Sequence, residues 1–170
     1  PLVKLSGQLL AAIIVVAFGI RIDNINLLFL SDISEGVSIL ITIVWIIGIT
    51  NSINLIDGLD GLSSGISVIS CLSLIIIFAL NGSPLIAIIM VTALAGALVG
   101  FLPYNFNPAK TFLGDTGSNF LGFTLSIISI LGIAKTYTAI VIVAPLIVLA
   151  LPLFDTVFAI IRRLINGKSL

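Results

Sequence analysis

Long apolar segments separated by short polar breaks constrain this chain more than any other feature of its sequence. A helix that crosses a lipid bilayer needs about 20 mostly apolar residues. Charged residues make up only 8% of the chain, whereas soluble domains average about 25%. So few charges cannot cover the surface of a soluble domain of this size. We therefore expect an integral membrane protein.

These segments predict an all-α fold, a polytopic bundle of about six transmembrane helices. A run such as Leu74–Phe78 lacks the alternation of apolar and polar residues that membrane β-strands show. We expect one transmembrane domain over residues 1–170, without a linker. The predicted spans are about 5–20, 37–52, 62–80, 85–102, 119–134 and 137–160.

Charge and composition exclude other classes of protein and predict an orientation. The formal net charge of zero gives no support for nucleic-acid binding. The absence of histidine and the single cysteine exclude zinc sites of the usual kind and a disulfide framework. With six spans, five of the seven Lys and Arg residues fall on the side that holds the loops near 53–61 and 103–118. The positive-inside rule then makes both loops cytoplasmic.

The first polar motif covers Asn51–Gly65. Its polar residues recur at every third position: Asn51, Asn54, Asp57 and Asp60. An aspartate at the centre of a membrane helix costs about 2.5–3.5 kcal/mol, so this pair needs water, a cation or a polar ligand. Gly58 and Gly61 are expected to loosen the backbone, which would let the four side chains converge. The alternative is a solvated helix end in which the glycines only serve the turn.

The second polar motif covers Pro103–Asn119. Asp115 lies between glycines directly before an apolar segment, and Lys110 precedes it by five residues. A carboxylate, a cation and a helix start together suit a metal–phosphate site. The alternative makes Asp115 the helix N-cap and Lys110 an interfacial anchor. The order of residues is not that of a P-loop.

Taken together, the two motifs resemble the signatures of a family of membrane enzymes. Residues 51–65 fit N-x-x-N-x-x-D-G-x-D-G-L-x-x-G, and residues 107–118 read N-P-A-K-x-F-x-G-D-T-G-S. These patterns are similar to those of the polyprenyl-phosphate N-acetylhexosamine-1-phosphate transferases, which are of the glycosyltransferase family 4 type. The transferase that loads muramyl-pentapeptide onto the lipid carrier is a relative. Ser63 and Asn119 depart from the residues usual at their positions.

The resemblance implies a reaction and its participants. A UDP-sugar and polyprenyl (undecaprenyl) phosphate would give polyprenyl-diphospho-sugar and UMP, with Mg²⁺ or Mn²⁺ as the cofactor. This is the first membrane step of cell-envelope polysaccharide synthesis, such as that of lipopolysaccharide or teichoic acid. Ile56 favours UDP-GlcNAc as the donor, because the muramyl-pentapeptide branch more often has Thr there. The implied location is the plasma membrane, in a multi-pass protein that could form a homodimer.

The resemblance also implies roles for individual residues. Asp115 would bind the metal, and Asp57 and Asp60 would join it as catalytic residues. The ring of Phe112 would offer a face to the uracil. The substrate-binding set would be Asn51, Asn54, Asn105, Phe112 and, as a weaker assignment, Lys110.

Two features of the family do not occur in this chain: an upstream Asp-Asp pair and a downstream His-containing loop. We therefore expect a fragment of a larger protein of roughly ten helices, inactive by itself. An ion-coupled transporter with Asp57 and Asp60 as its cation site is the alternative. A catalytically inactive membrane scaffold is a third hypothesis, which predicts that Asp115→Asn has no phenotype.

Overall fold

The computed structural model describes residues 2–22 and 34–133, together with positions 158 and 162. Within these residues the only regular secondary structure is helical, which confirms the all-α prediction. The predicted sixth span, 137–160, lies outside the described residues except for Phe158. The helices are α1 (Leu2–Ala17), α2 (Glu35–Ile56), α3 (Leu62–Leu80), α4 (Leu85–Asn105) and α5 (Gly114–Ile133).

Three of these helices, α2, α3 and α4, are long and apolar enough to cross a membrane. Helix α1 is also apolar but has only 16 residues, and α5 has 20 residues with Asp115 in its first turn. Large apolar side chains such as Leu40, Ile69 and Ile89 are exposed on the outer faces of the spans, as lipid-facing residues would be. The chain is thus a membrane protein with several apolar spans, and the total of six remains a prediction.

Several helices extend further than the apolar pattern predicts: α5 begins at Gly114 instead of 119, and two helices end later than expected. Helix α2 continues to Ile56 and α4 to Asn105, so the first half of the Asn51–Gly65 motif is helical. The connection between α2 and α3 is reduced to residues 57–61, which we call the first loop. The connection between α4 and α5 spans residues 106–113, which we call the second loop.

Packing of α2 against α5 forms the centre of the bundle, while α3 packs against α4 and α1 against α2. Gly122 allows α2 and α5 to approach closely, because a Cβ atom there would lie 2.7 Å from the Cα of Thr50. Ile53 and Leu125 are fully buried in this core. The up-and-down order of the helices brings the start of α1, the end of α2, both loops and the start of α5 to one end of the bundle, which we call the polar end.

Candidate active site

Asn54, on the last turn of α2, lies at the centre of a polar cluster. Its side-chain amide donates to Asp115 Oδ1 at 3.0 Å and to Ser118 Oγ at 2.7 Å, and both acceptors lie on the first turns of α5. The side-chain oxygen of Asn54, Oδ1, accepts a hydrogen bond from the Lys4 ammonium group. One amide therefore connects the two motifs with the start of α1.

Lys4 brings a positive charge to the carboxylate of Asp115. The distance between Lys4 Nζ and Asp115 Oδ1 is 3.9 Å. The Asp115 side chain is 84% exposed and that of Lys4 is 33% exposed, so both groups are open to a ligand. A half-exposed ion pair of this kind stabilises a fold by only about 0–1 kcal/mol. The contribution of this ion pair to the stability of the fold is therefore too small to explain its presence.

Asp57 is the C-cap residue of α2, and its carboxylate lies near enough to Asp115 for the two charges to interact. The pKa of Asp57 is raised above the ordinary value of an aspartate, first because burial penalises the charged carboxylate and second because the negative charge of Asp115 is near. The negative charge of Asp115 thus makes the charged form of Asp57 less favourable. A cation or a cationic group of a ligand would relieve this repulsion.

The donor set of this cluster suits a Mg²⁺ ion that is completed by a substrate. Among residues 2–22 and 34–133, no group of three or more His, Cys, Asp or Glu side chains is placed to hold a metal. Mg²⁺, however, commonly binds one or two carboxylates together with water and substrate phosphates. Asp57 and Asp115 provide such a pair, and the carboxylate repulsion at Asp57 is what a bound cation would offset. The residues present therefore fit the ion.

Asn51 belongs to an amide cluster one turn deeper in the bundle. The Gln8 amide donates to Asn119 Oδ1 at 2.7 Å, and the Asn51 amide donates to Gln8 Oε1 at 2.8 Å. Asn119 also donates to the backbone carbonyl of Asp115. Asn51 is thus hydrogen-bonded to α1 and lies one turn before Asn54, and its predicted contact with the substrate remains a prediction.

Asp60 is turned away from the carboxylate pair and towards the second loop. Its Oδ2 atom accepts a hydrogen bond from the Ala109 amide at 3.0 Å and lies 3.4 Å from the Asn107 side-chain nitrogen. The expected convergence of all four polar residues of the first motif is therefore only partly met. Asp60 joins the two loops, whereas Asn54 and Asp57 face Asp115.

Asn105 is buried at the end of α4, with 4% of its surface exposed. Its Oδ1 accepts from Ser64 Oγ at 2.5 Å, and its Nδ2 donates to the carbonyl of Thr111 at 3.0 Å. Both ends of this amide are thus engaged within the protein. The predicted contact of Asn105 with a nucleotide remains a prediction.

Phe112 and Lys110 lie on the exposed surface of the second loop. The Phe112 side chain is 68% exposed, which leaves a ring face free for stacking on a base. The backbone amide of Lys110 donates to the carbonyl of Tyr104 at 2.8 Å, so the loop geometry around it is fixed. The predicted contacts of Phe112 with uracil and of Lys110 with phosphate remain predictions.

The sequence analysis did not identify Lys4 and Gln8 as site residues. Gln8 falls inside the predicted span 5–20, whereas Lys4 lies just before that span and was counted only among the positive charges of the cytoplasmic side. A polar or ionisable residue at such a position indicates a functional contact by default, and that signal was available. The Ser118 hydroxyl group, to which the sequence analysis gave no role in the site, accepts a hydrogen bond from Asn54.

Comparison with known proteins identifies the family. Residues 1–133 match the family described as "Glycosyl transferase family 4", and the chain belongs to that family. It is 48% identical over 170 residues to a protein of Bacillus subtilis named "Probable undecaprenyl-phosphate N-acetylglucosaminyl 1-phosphate transferase". That match covers 99% of this chain and 47% of the relative, so the chain spans about half the length of that protein.

Two further relatives match shorter stretches. A "Decaprenyl-phosphate N-acetylglucosaminephosphotransferase" of Mycolicibacterium smegmatis is 38% identical over 87 residues, which is 45% of this chain and 21% of the relative. A "Phospho-N-acetylmuramoyl-pentapeptide-transferase" of Chlamydia trachomatis is 45% identical over 62 residues, which is 35% of this chain and 18% of the relative. The family resemblance inferred from the two motifs is confirmed.

Proposed function

We propose that the intact protein transfers N-acetylglucosamine 1-phosphate from UDP-GlcNAc to a polyprenyl phosphate, undecaprenyl phosphate in the first instance, and releases UMP. The observation that carries the proposal is the convergence of Asp57, Asp115, Asn54 and Lys4 at one end of a membrane bundle. A soluble sugar nucleotide and a lipid phosphate can meet only at such a membrane face. The printed names of the Bacillus subtilis and Mycolicibacterium smegmatis relatives support GlcNAc as the sugar.

The reaction exchanges one phosphoanhydride bond for another. A phosphate oxygen of the lipid attacks the β-phosphorus, which carries the sugar. The bond between this phosphorus and the oxygen that bridges it to the α-phosphorus breaks. The bridging oxygen and its electron pair leave with UMP. A phosphate monoester has its second pKa near 6, so the attacking oxygen is mostly deprotonated at neutral pH. The protein therefore needs chiefly to position charges and to neutralise them.

The residues of the polar end match that requirement. The Lys4 ammonium group would donate to a phosphate oxygen, in place of its present contact with Asn54. Asn54 would keep Asp115 oriented through its amide. Asp57 and Asp115 would hold Mg²⁺, or Mn²⁺, which accepts the same oxygen ligands. The bound ion would supply Lewis-acid polarisation of phosphate oxygens and would offset their charge.

The second loop would contribute to donor recognition. The exposed ring of Phe112 would stack on the uracil, and Lys110 would approach a phosphate from the same loop. Asp60 and Asn105, whose polar atoms bond to loop residues, would act on the donor through that loop. The polar end would face the cytoplasm, as the distribution of Lys and Arg predicts, in the plasma membrane. A homodimer remains a prediction.

The first test is release of UMP from UDP-GlcNAc by the intact protein in membrane vesicles. Mg²⁺, Mn²⁺ or a chelator is supplied, and polyprenyl phosphate is present or omitted. We expect release that needs both the lipid and the divalent ion. Release from a UDP-muramyl-peptide instead of UDP-GlcNAc would retain the mechanism and overturn the assigned sugar.

A second arm separates the transferase from an ion-coupled transporter. Purified protein in sealed vesicles receives the same substrates while the membrane potential is set to zero or held. UMP release that is independent of the potential supports a transferase. The proposal would be overturned if folded protein released no UMP from either sugar donor and instead carried an ion flux that responds to the potential.

A further inference from the structure

The second loop carries Phe112 and leads directly into Asp115, yet it has no regular secondary structure between residues 106 and 113. Its conformation therefore depends on contacts with neighbouring elements. One contact is the pair of hydrogen bonds to Asp60. Another contact originates inside the bundle, on the first turn of α3, at a serine with no role in the reaction described above.

Ser64 is fully buried, and its hydroxyl group lies 2.5 Å from Asn105 Oδ1. The Asn105 amide nitrogen donates to the carbonyl of Thr111 at 3.0 Å. Because a carbonyl only accepts, this bond fixes the orientation of the Asn105 amide, and Ser64 must then be the donor to Oδ1. The chain of bonds runs without a break from α3 to the second loop.

This series of hydrogen bonds ends at Thr111, which is bonded to the end of α4 through both of its backbone polar groups. The Thr111 amide donates to the carbonyl of Tyr104 at 3.1 Å, while the Thr111 carbonyl accepts from Asn105. Both backbone groups of Thr111 are thus tied to the end of α4. Phe112 is the next residue, so its ring position follows from the position of Thr111.

We propose that Ser64 is a positioning residue, which acts through Asn105 to hold the second loop in the conformation that presents Phe112 and Asp115. Loss of the Ser64 hydroxyl would leave Asn105 Oδ1 buried without its donor. A buried acceptor that loses its partner is costly, and the loop would relieve this cost by detaching from α4. The kinetic consequence rests on the proposed function, whereas the detachment does not.

Ser63 provides a matched control on the same turn of the same helix. It is also a buried serine, with 1% of its surface exposed. Among the residues that the structure describes, its hydroxyl group has no hydrogen-bond partner. Ser63→Ala and Ser64→Ala therefore remove the same atom from adjacent buried sites, and only the second change breaks the hydrogen bond to Asn105 that leads to the loop.

The test compares tryptic cleavage after Lys110 in the intact protein, solubilised in detergent. Cleavage requires the loop to open locally, and its rate reports the population of the open form. We expect cleavage about tenfold faster in Ser64→Ala than in the native protein, and unchanged in Ser63→Ala. Cleavage after Arg21, at the opposite end of the bundle, shows whether the whole fold has loosened and should not change.

Equal rates in Ser64→Ala and the native protein, or equal acceleration in both serine variants, would overturn the proposal. If Ser64→Ala does not accumulate, Ser64→Cys replaces it, since a thiol is a weak donor of similar shape. That variant should be cleaved faster than the native protein and faster than Ser63→Ala, and a native rate would count against the proposal.

A kinetic arm then connects the loop with the reaction. In Ser64→Ala, kcat/KM for UDP-GlcNAc should fall about tenfold, while KM for polyprenyl phosphate stays within about twofold. Ser63→Ala should leave both unchanged. Absence of transfer by the native protein would refute the proposed function alone, because the cleavage rates would still decide the role of Ser64.

Discussion

Asp57 and Asp60 lie three residues apart in one motif, yet their surroundings are opposite. Asp57 faces the carboxylate of Asp115, and its pKa is raised by burial first and by that neighbouring charge second. Asp60 accepts a hydrogen bond from the Ala109 backbone and lies within reach of the Asn107 amide. The first carboxylate lacks a nearby donor in the described residues, and the second has two.

This difference separates two requirements that a motif alone cannot distinguish. A site that binds a cation needs negative charge, which Asp57 and Asp115 provide jointly. A loop that must hold its shape needs an acceptor of the correct geometry, which Asp60 provides whether or not its charge matters. Substitutions that remove charge but retain an oxygen acceptor should therefore affect the two aspartates very differently.

The largest effect is expected for Asp115→Asn. The change removes the charge of the most exposed carboxylate in the cluster while its oxygen can still accept from Asn54. Transfer of the sugar phosphate should fall by roughly a thousandfold, since a metal that neutralises phosphate charge supplies several kcal/mol. The measurement is Mg²⁺-dependent UMP release by the intact protein.

The control for Asp115→Asn is cleavage by trypsin after Lys110, which should be within twofold of the native rate. An unchanged rate shows that the loop is still in place. Activity within about tenfold of the native value would show that Asp115 does not hold the metal.

The second prediction contrasts amide substitutions at the two aspartates of the first motif. Asp57→Asn should reduce transfer about a hundredfold, because one of the two charges proposed to bind the metal is lost. Asp60→Asn should cost no more than about threefold, because the new carbonyl can still accept from Ala109. The measurement is kcat/KM for UDP-GlcNAc in each variant.

Asp60→Ala completes this comparison, because it removes the acceptor as well as the charge. We expect a loss of about tenfold, from the two hydrogen bonds to the second loop. Equal losses in Asp60→Asn and Asp60→Ala, at the level of Asp57→Asn, would place Asp60 among the catalytic residues instead.

A smaller effect is expected at the glycine that follows Asp60. Gly61 has φ +72°, and a Cβ atom there would lie 3.3 Å from the Cα and 3.2 Å from the ring of Phe106. Gly61→Ala should destabilise the contact between the loops by about 1–2 kcal/mol, the cost of the left-handed conformation for an L-residue. Tryptic cleavage after Lys110 should accelerate accordingly.

Gly58→Ala is the matched control for Gly61→Ala. Gly58 belongs to the same loop, has no positive φ and has nothing within 4 Å of a Cβ position. Its substitution should leave the cleavage rate within about twofold. Equal acceleration in both variants would show that backbone freedom of the whole loop, and not the contact with Phe106, holds the second loop.

Much of the helical architecture was predictable from the sequence, because apolar segments bounded by Gly, Pro and Asn indicate spans and breaks directly. The predicted 62–80 coincides with α3 as found, Leu62–Leu80. The end of α2 was placed too early, at 52 instead of Ile56. Polar residues at every third position read as the start of a loop, but the backbone stays helical there and Asn54 bonds to α5.

The division of labour within the site was less predictable. Spacing of three residues suggested convergence, and the turn at residues 57–61 directs Asp57 and Asp60 to different partners. The partners of Lys4 were missed for a physical reason: they are 50 and 111 residues away in the chain, so the local sequence shows a polar residue beside an apolar span but does not identify what it contacts. The same holds for Gln8, whose partners lie on α2 and α5.

The smallest effect concerns pH and isolates the two causes that act on Asp57. Its pKa in the folded protein lies above that of an aspartate in the unfolded chain, so the folded state binds a proton more tightly within the window between the two values. Stability is then greatest below this window and falls as the pH rises through it. In metal-free protein, the thermal unfolding temperature should follow that course.

Variants assign this pH dependence to burial or to charge. Asp57→Asn should abolish the decrease in unfolding temperature across the window, because the titrating group is gone. Asp115→Asn should retain the larger part of it, because burial is the first cause of the raised pKa and the Asp115 charge only the second. A slope that survives in Asp57→Asn would mean that another group titrates there. A slope that vanishes in Asp115→Asn would make repulsion between the carboxylates the dominant effect, and a bound cation would then gain correspondingly more from the pair.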